Sequence, residues 1–211
     1  MTELFSAEKP SLKMLDCFCG MGGVSDGFAM EGFDVTGIDI IDAPKMFGYK
    51  YRFIQADMLT LKGEDFRGFD VIWGSPPCRD FSRIATTDRK FWRGKWVEWK
   101  NPANPETGMQ LVNAYLNFVK KAEPKIWIME NVVGLTKYLP KPTQISHIGD
   151  TMKRAFWGCF PLFLMPLDST VKPKSSYNSP IGSWERSKIP LPCSRAFARA
   201  CKEKLLELPQ K

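Results

Sequence analysis

The stretch LKMLDCFCGMGGVSDGFAMEGFDVTGID, residues 12 to 39, decides the fold. It begins with a largely apolar run of strand length and continues into a turn that holds Gly20, Gly22 and Gly23. A helical spacing of apolar residues follows, and a second strand-like run ends on Asp39. Strand, glycine turn, helix and strand, with an acidic residue closing the second strand, make up the first half of a nucleotide-binding α/β sheet.

Strands and helices continue to alternate through the middle of the chain. Strand-like runs at 51–55, 69–73 and 125–129 are expected, with an amphipathic helix at 108–122 before the last of them. This alternation predicts an α/β fold of Rossmann-like type, a mostly parallel sheet with flanking helices. No internal repeat or clean linker is present, so we expect a single domain of 211 residues.

Four further segments carry weaker patterns. Residues 79–107 show no period and predict a long loop, which in a compact domain usually has a functional role. Residues 144–156 are interpreted as helical, 162–165 as a strand, and 191–208 as a helix rich in basic residues. The region 134–186 is rich in Pro, Lys and Ser, and we interpret it as an accessory stretch.

The composition excludes several classes of protein. Hydrophobic residues make up 44% and charged residues 25%, which is ordinary for a globular protein and excludes a collagen-like or low-complexity chain. No apolar run is long enough to span a membrane, and the start lacks the basic and apolar segments of a signal peptide. Six scattered cysteines indicate free thiols in an intracellular protein, and with one His in the chain we expect no metal site.

The net charge of +7 is distributed unevenly. Residues 1–78 hold 7 basic and 12 acidic residues, a net of −5, whereas residues 79–211 hold 23 basic and 11 acidic residues, a net of +12. A basic surface of this size favours a polyanion, most often a nucleic acid. The alternative is that the excess of Lys only keeps the protein soluble.

The glycine turn predicts a particular kind of ligand. A Walker loop would need Lys-Ser or Lys-Thr after the glycines, and the dinucleotide pattern would need a glycine where this chain has Ser25. A nucleoside ligand without a pyrophosphate therefore fits better than NAD. Asp39 would hydrogen-bond its ribose, and Asp57, at the end of the third strand, would accept from its adenine amino group. The alternative is a plain turn with solvated acids.

Two further motifs follow buried strands and carry candidate catalytic groups. Pro76-Pro77 stiffen the chain before Cys78, as a nucleophile requires, and Arg79 and Arg83 are expected to favour its thiolate. Glu130, in the run Glu130-Asn131-Val132, follows the neighbouring strand and is expected to lie within reach of Cys78. A thiol beside a carboxyl can attack a ring and protonate it. The alternative is that Cys78 is a buried structural cysteine.

Together these motifs resemble the signatures of the cytosine-C5 DNA methyltransferases. The resemblance rests on DCFCGMGGVSDGF (16–28), PPCRDFS (76–82) and ENV (130–132), in matching order and approximate spacing. A looser similarity joins the run SKIPLP (187–192) to the family's last motif, which returns to the cofactor. The resemblance as a whole implies a Rossmann-like fold that binds S-adenosylmethionine (SAM). The positions it implies around the cofactor are Phe18, Cys19, Gly20, Met21, Gly22, Gly23, Asp39, Ile40, Asp57, Met58, Pro77, Leu111, Ser187 and Ile189.

The resemblance also implies the reaction and the substrate. Cys78 would attack C6 of a cytosine flipped out of double-stranded DNA, Glu130 would hydrogen-bond the ring, and C5 would take the methyl group. The tryptophan-rich basic run at 91–100 would close over the DNA, with aromatic side chains stacking on bases. Tryptophans packed in the core are the alternative. The residues expected to contact nucleic acid are Arg79, Ser82, Arg83, Arg93, Lys95 and Trp96.

Two departures from the family pattern leave alternatives open. The family's Gln-x-Arg-x-Arg motif is not found, and Arg154 or Arg186 are the candidates for its arginine. Only 56 residues, 131–186, separate Glu130 from the last motif. The segment that recognises the target base is therefore expected to be short, or recognition is supplied by a partner subunit or a dimer. The source is expected to be phage or microbial, with a cytoplasmic protein of restriction-modification type. Methylation of RNA, and a DNA-binding protein without turnover, are the alternative functions.

Overall fold

The computed structural model describes seven stretches of the chain, and for residues 89–92, 95–98 and 152 it describes the backbone alone. Among the described residues, no helix combines the length and the apolar character that crossing a membrane requires. The described residues are 11–82, 89–92, 95–98, 103–148, 152–164, 184–185 and 187–209.

Seven of the described strands form one sheet. In chain order these are β1 (Lys13–Cys17), β2 (Asp34–Asp39), β3 (Arg52–Gln55), β4 (Val71–Gly74), β7 (Ile126–Val132), β8 (Gln144–Ile148) and β9 (Met152–Cys159), while β5 (Arg89–Trp92) and β6 (Lys95–Glu98) pair separately. The order across the sheet is β3-β2-β1-β4-β7-β9-β8. The first five strands of that order run parallel, and β9 runs antiparallel to both of its neighbours. The predicted α/β fold with a mostly parallel sheet is therefore confirmed.

Helices cover both faces of this sheet. They are α1 (Gly23–Met30), α2 (Ala43–Phe47), α3 (Pro105–Ala122) and α4 (Leu191–Glu207), with short 3-10 turns at Gly63–Phe66, Arg79–Phe81 and Val133–Lys137. Successive residues of a strand face opposite sides, so Met14 joins an apolar cluster with α1 and α4, whereas Leu15 joins one with α3.

Helices α1 and α4 pack closely because Gly27 has no side chain. The Ser194 side chain occupies the space that a Cβ atom on Gly27 would need. Pro192 lies in the first turn of α4, where a missing backbone N–H costs nothing. The C-terminal helix expected at 191–208 is thus present, and it lies against the helix that follows the glycine turn.

The prediction of a helix at 144–156 is wrong, because this segment contributes to the antiparallel strands β8 and β9. Apolar residues at Ile145, Ile148, Met152 and Phe156 happen to follow a helical spacing. Exposure nevertheless alternates along β8, with Ile145 and His147 exposed and Ile148 buried, as in a strand. Tertiary packing at the sheet edge therefore overrides the local period.

Three smaller expectations also need correction. The long loop expected at 79–107 contains a 3-10 turn and the β5–β6 pair. Residues 161–164 are irregular rather than a strand, and Met165 lies outside the described residues. The strand expected at 125–129 is β7, and it continues to Val132 because β9 pairs with this extension. Glu130 and Asn131 therefore lie within β7 and not after it.

Candidate active site

A cavity of about 510 Å³ lies at the carboxyl ends of the parallel strands, where open α/β sheets bind their ligands. Residues from the ends of β1, β2, β4 and β7 form its floor, and residues before α4 form part of its rim. Its wall includes the glycine turn, both predicted strand-end acids, the Pro-Pro-Cys run and Glu130. The sequence-predicted motifs therefore meet at one place.

The glycine turn is built around Asp39. The carboxylate of Asp39 accepts hydrogen bonds from the backbone N–H of Gly20 at 2.9 Å and of Ile41 at 3.2 Å. Gly20 has a φ of 46°, in the left-handed region that favours glycine, and Phe18 adopts a φ of 62° in the same turn. Asp39 is thus buried and oriented by backbone groups before any ligand enters.

Asp16 lies at the end of β1 and forms a buried network beneath this turn. The Ser25 hydroxyl donates to the Asp16 carboxylate at 2.6 Å, and the Ser25 backbone N–H donates at 3.2 Å. The Tyr49 hydroxyl lies 2.8 Å from the Ser25 hydroxyl. Burial raises the pKa of Asp16 to about 7. Ser25, which breaks the dinucleotide pattern, therefore holds Asp16, a residue of the cavity wall.

Cys78, Glu130 and Arg154 form the second polar group in the cavity. Arg154 Nε lies 3.1 Å from Glu130 Oε1, and both side chains are buried. Val132 pairs with Arg154 across the β7–β9 ladder, so Glu130, two residues earlier, is a diagonal neighbour of Arg154 on the same face. The pairing of β9 with β7 thus brings a guanidinium to the candidate catalytic residues.

Asn131 joins the two catalytic motifs. Its side-chain amide donates to the carbonyl of Pro76 at 2.9 Å, in a buried hydrogen bond. The run that contains Glu130 is therefore tied to the run that contains Cys78. This bond holds the thiol and the carboxyl on neighbouring strand ends, as the sequence predicts.

The charge environment of Cys78 differs from the expected one. Burial, and after it the Glu130 carboxylate, raise the pKa of the Cys78 thiol. Arg154 lowers this pKa through its charge and through a hydrogen bond. Burial also raises the pKa of Glu130, opposed by Arg154 and by a hydrogen bond from Ser75. Arg154, which the expectation did not include, is a cation that favours the thiolate, while Arg79 lines the same cavity and its effect on the thiol stays a prediction. Arg83 lies outside the described residues.

Most of the predicted cofactor positions lie on the cavity wall. Gly22 is the exception, because it is the left-handed residue that precedes α1 and faces the Tyr49 ring. It shapes the turn instead of lining the cavity. The predicted positions that line it are Phe18, Cys19, Gly20, Met21, Gly23, Asp39, Ile40, Asp57, Met58, Pro77, Leu111, Ser187 and Ile189.

The predicted nucleic-acid contacts are only partly described. Arg79 lines the cavity, while Ser82 follows the 3-10 turn and lies outside its wall. Arg93 lies outside the described residues, as does Arg186, the alternative to Arg154. Lys95 and Trp96 belong to β6, for which the backbone alone is described.

Sequence reasoning missed or left open several residues of the wall. Arg154 was one of two candidates, and only the alternation of the strand MKRAFWGC indicated on which face it lies. Trp184 and Lys188 fall before and within the last motif, but no spacing marked them. The missed wall residues with polar or aromatic side chains are Asp16, Ser75, Trp184 and Lys188.

The strand order and the glycine turn at the strand ends define a Rossmann-like α/β domain. Residues 12–156, 145 of the 211 residues, match the family model described as C-5 cytosine-specific DNA methylase. The chain belongs to that family.

Two curated relatives agree with this assignment. The type II methyltransferase M.DdeI of Desulfomicrobium norvegicum is 31% identical over 156 residues, which cover 69% of this chain and 33% of that protein. M.XorII of Xanthomonas oryzae pv. oryzae is 28% identical over 135 residues, 58% of this chain and 28% of that one. The chain thus spans about a third of the length of the curated relatives it matches. Among solved structures, the match with the S. pombe Dnmt2 methyltransferase covers 70% of this chain and 48% of that one, at 18% identity and a TM-score of 0.47.

Proposed function

We propose that this protein transfers a methyl group from SAM to C5 of cytosine in double-stranded DNA. The observation that carries the proposal is the convergence of Cys78, Glu130 and Arg154 at one end of a cavity whose other end holds Asp39 and Asp57. This convergence supports roles for Cys78 as the nucleophile and Glu130 as the acid, beside a site for a nucleoside. The family assignment and the similarity to type II methyltransferases support the same reaction.

The residues around the glycine turn fit SAM. Asp39 is fixed by two backbone N–H groups, and its carboxylate has further lone pairs that could accept from ribose hydroxyls. The cavity of about 510 Å³ lies in the range of small-molecule sites. The turn lacks the cationic side chain with which a P-loop binds phosphates. SAM carries a sulfonium and no pyrophosphate, so it does not need that side chain. When bound, SAM would supply an electrophilic methyl group.

The catalytic residues would act on the target base. Burial raises the pKa of Glu130 against the opposing effect of Arg154, which favours a proton shared between its carboxyl and N3 of the bound cytosine. This interaction would draw electrons from C6 and favour attack by the Cys78 sulfur. C5 would then take the methyl group, which leaves S-adenosylhomocysteine as the product of the cofactor. Water would accept the C5 proton, and elimination of the sulfur from C6 would restore Cys78. Arg154 would hold Glu130 in position and stabilise the thiolate as it forms.

The base must leave the DNA stack to reach Cys78, at a cost of a few kcal/mol. Part of the region interpreted as accessory, 134–186, belongs to the catalytic sheet, because β8 and β9 lie within it. Recognition of the target sequence by a partner subunit or by a second copy of the chain remains part of this proposal.

Covalent trapping tests the reaction. DNA and RNA oligonucleotides that contain 5-fluorocytosine would be incubated with the protein and labelled SAM, because fluorine at C5 blocks the elimination step. We expect a labelled covalent complex on DNA that is absent in Cys78→Ser. The same substitution should lower turnover on ordinary DNA by at least about 1000-fold, as loss of a nucleophile does.

The alternatives give different results in this assay. A complex on RNA alone would change the substrate to RNA. If neither nucleic acid is trapped while SAM still binds, the chain is a binding protein without turnover. Cys159→Ser is the matched control, because Cys159 is an exposed thiol outside the cavity wall and its loss should leave trapping unchanged.

A further inference from the structure

A short segment before α4 forms part of the cavity rim. Trp184, Ser187, Lys188 and Ile189 all line the cavity. The carbonyl of Trp184 accepts hydrogen bonds from the Lys188 backbone N–H at 3.1 Å and from the Ser187 hydroxyl at 2.8 Å. The segment is therefore a closed turn, and its end, Ile189, is buried in the core shared with α1 and α4.

This turn is anchored to the first residues of α1. Lys188 Nζ lies 3.3 Å from the Asp26 carboxylate. The Lys188 side chain and the Ile189 backbone fill the space that a Cβ on Gly23 would need. The glycine turn and the rim segment thus pack directly on each other, although more than 150 residues separate them in the chain.

Trp184 reaches from this anchor over the glycine turn. Two carbons of its six-membered ring lie 3.4 and 3.5 Å from the position of a Cβ on Gly20. Its ring centroid lies 5.1 Å from that of Phe47 in α2, with the planes at 53°. Gly20 is also the residue whose N–H holds Asp39. The indole therefore lies beside the acid that would bind the ribose.

The Trp184 side chain is only partly covered in the structure. The residue is 36% exposed, although it contacts both Gly20 and Phe47. Ile40, the predicted apolar contact for adenine, is 62% exposed and gives the cavity less cover. An aromatic ring on the wall of a nucleoside site offers a flat apolar surface that a ligand can bury.

We propose that Trp184 is a cofactor-binding residue that covers the adenosine part of SAM from the rim opposite the sheet. The inference rests on the proposed function, since SAM is the proposed cofactor. The indole would pack on the nucleoside and exclude water from the hydrogen bonds of Asp39. SAM and its product S-adenosylhomocysteine share adenosine, so Trp184 would contribute equally to the affinity for both.

Calorimetric titration of the full chain with SAM and with S-adenosylhomocysteine tests this inference. We expect Trp184→Ala to weaken binding of both ligands by about tenfold, in keeping with the loss of one aromatic contact. Trp184→Phe should retain most of the affinity. Tyr138→Ala is the matched control, because Tyr138 is an aromatic residue with 46% exposure outside the cavity wall, and it should bind both ligands like the wild type.

Tryptophan fluorescence supplies a second readout that does not depend on Trp184→Ala folding. Ligand addition should change the emission of the wild type, and Trp184→Phe should lose most of that change. Wild-type affinities in Trp184→Ala, an unchanged emission response in Trp184→Phe, or a loss confined to SAM would each overturn the inference. Failure of the wild type to bind either ligand would overturn the proposed cofactor as well, so the two failures are distinguishable.

Discussion

The two ends of the cavity hold their polar groups in different ways. At the cofactor end, the Asp39 carboxylate is held by the backbone N–H groups of Gly20 and Ile41. At the catalytic end, Glu130 is held by the side chain of Arg154, which comes from an antiparallel strand. Backbone donors survive most substitutions, whereas a buried ion pair depends on both of its partners. The catalytic end should therefore be the more sensitive to single substitutions.

Removal of Arg154 should have the largest effect on stability. Arg154→Met would leave the Glu130 carboxyl buried without its cation, and we expect a loss of about 3–5 kcal/mol in the free energy of unfolding. Urea denaturation at neutral pH measures it. Arg195→Met is the control, because Arg195 and Glu31 form a partly exposed pair and Glu31 keeps Arg199 as a second partner, so we expect a loss of about 1 kcal/mol or less. Equal losses of free energy of unfolding in the two variants would contradict the expectation that the catalytic end is the more sensitive.

The buried Asp16 should make stability depend on pH. Its pKa in the folded protein is about 7, against an ordinary value of 3.8, so the folded state binds the proton more tightly than the unfolded state. This contribution is fully present below pH 3.8 and is lost as the pH rises to about 7. The shift corresponds to roughly 4 kcal/mol at most.

Asp16→Asn tests this dependence, because asparagine keeps an oxygen acceptor for Ser25 but carries no charge. Relative to the wild type, the variant should gain in free energy of unfolding as the pH rises from 4 to 8. Urea denaturation at several pH values gives the difference. A difference that stays constant across this range would show that Asp16 does not titrate there.

The smallest effect is expected at Asp39, and it should appear in binding rather than in turnover. Asp39→Ala removes the acceptor proposed for the ribose, and we expect SAM affinity to fall about tenfold to a hundredfold, as for a hydrogen bond to a charged group. At saturating SAM, the rate of methyl transfer should change little. A large loss of maximal rate with unchanged affinity would place Asp39 at the catalytic end instead.

The cofactor end could be predicted from the sequence because its signals are local. Asp39 and Asp57 follow strands that are recognisable by apolar runs, and the glycines lie between a strand and a helix. The carboxyl ends of parallel strands meet at one edge. Those facts predict that the glycine turn, Asp39 and Asp57 lie at one edge. The full set of fourteen cofactor positions was implied by the family resemblance, and thirteen of them line one wall, with Gly22 as the exception.

Arg154 shows why the catalytic end was harder to predict. Its segment has apolar residues at both helical and strand spacings, and the helical interpretation hid the face on which the guanidinium lies. Only the pairing of β9 with β7 brings it to Glu130. The raised pKa of Cys78 was missed for the same reason, because it depends on burial and on Glu130 and Arg154, which are far away in the sequence but close in space.

The sequence by itself determined the order of the first strands along the chain, the glycine turn and the candidates for nucleophile and acid, because these depend on local periodicity and on residue type. The tertiary structure decided which cation reaches Glu130, which protonation state Cys78 and Asp16 favour, and that Trp184 lies over Gly20. These features arise from contacts between segments far apart in the chain and from the removal of water around charged groups. Neither is encoded in the spacing of any single motif.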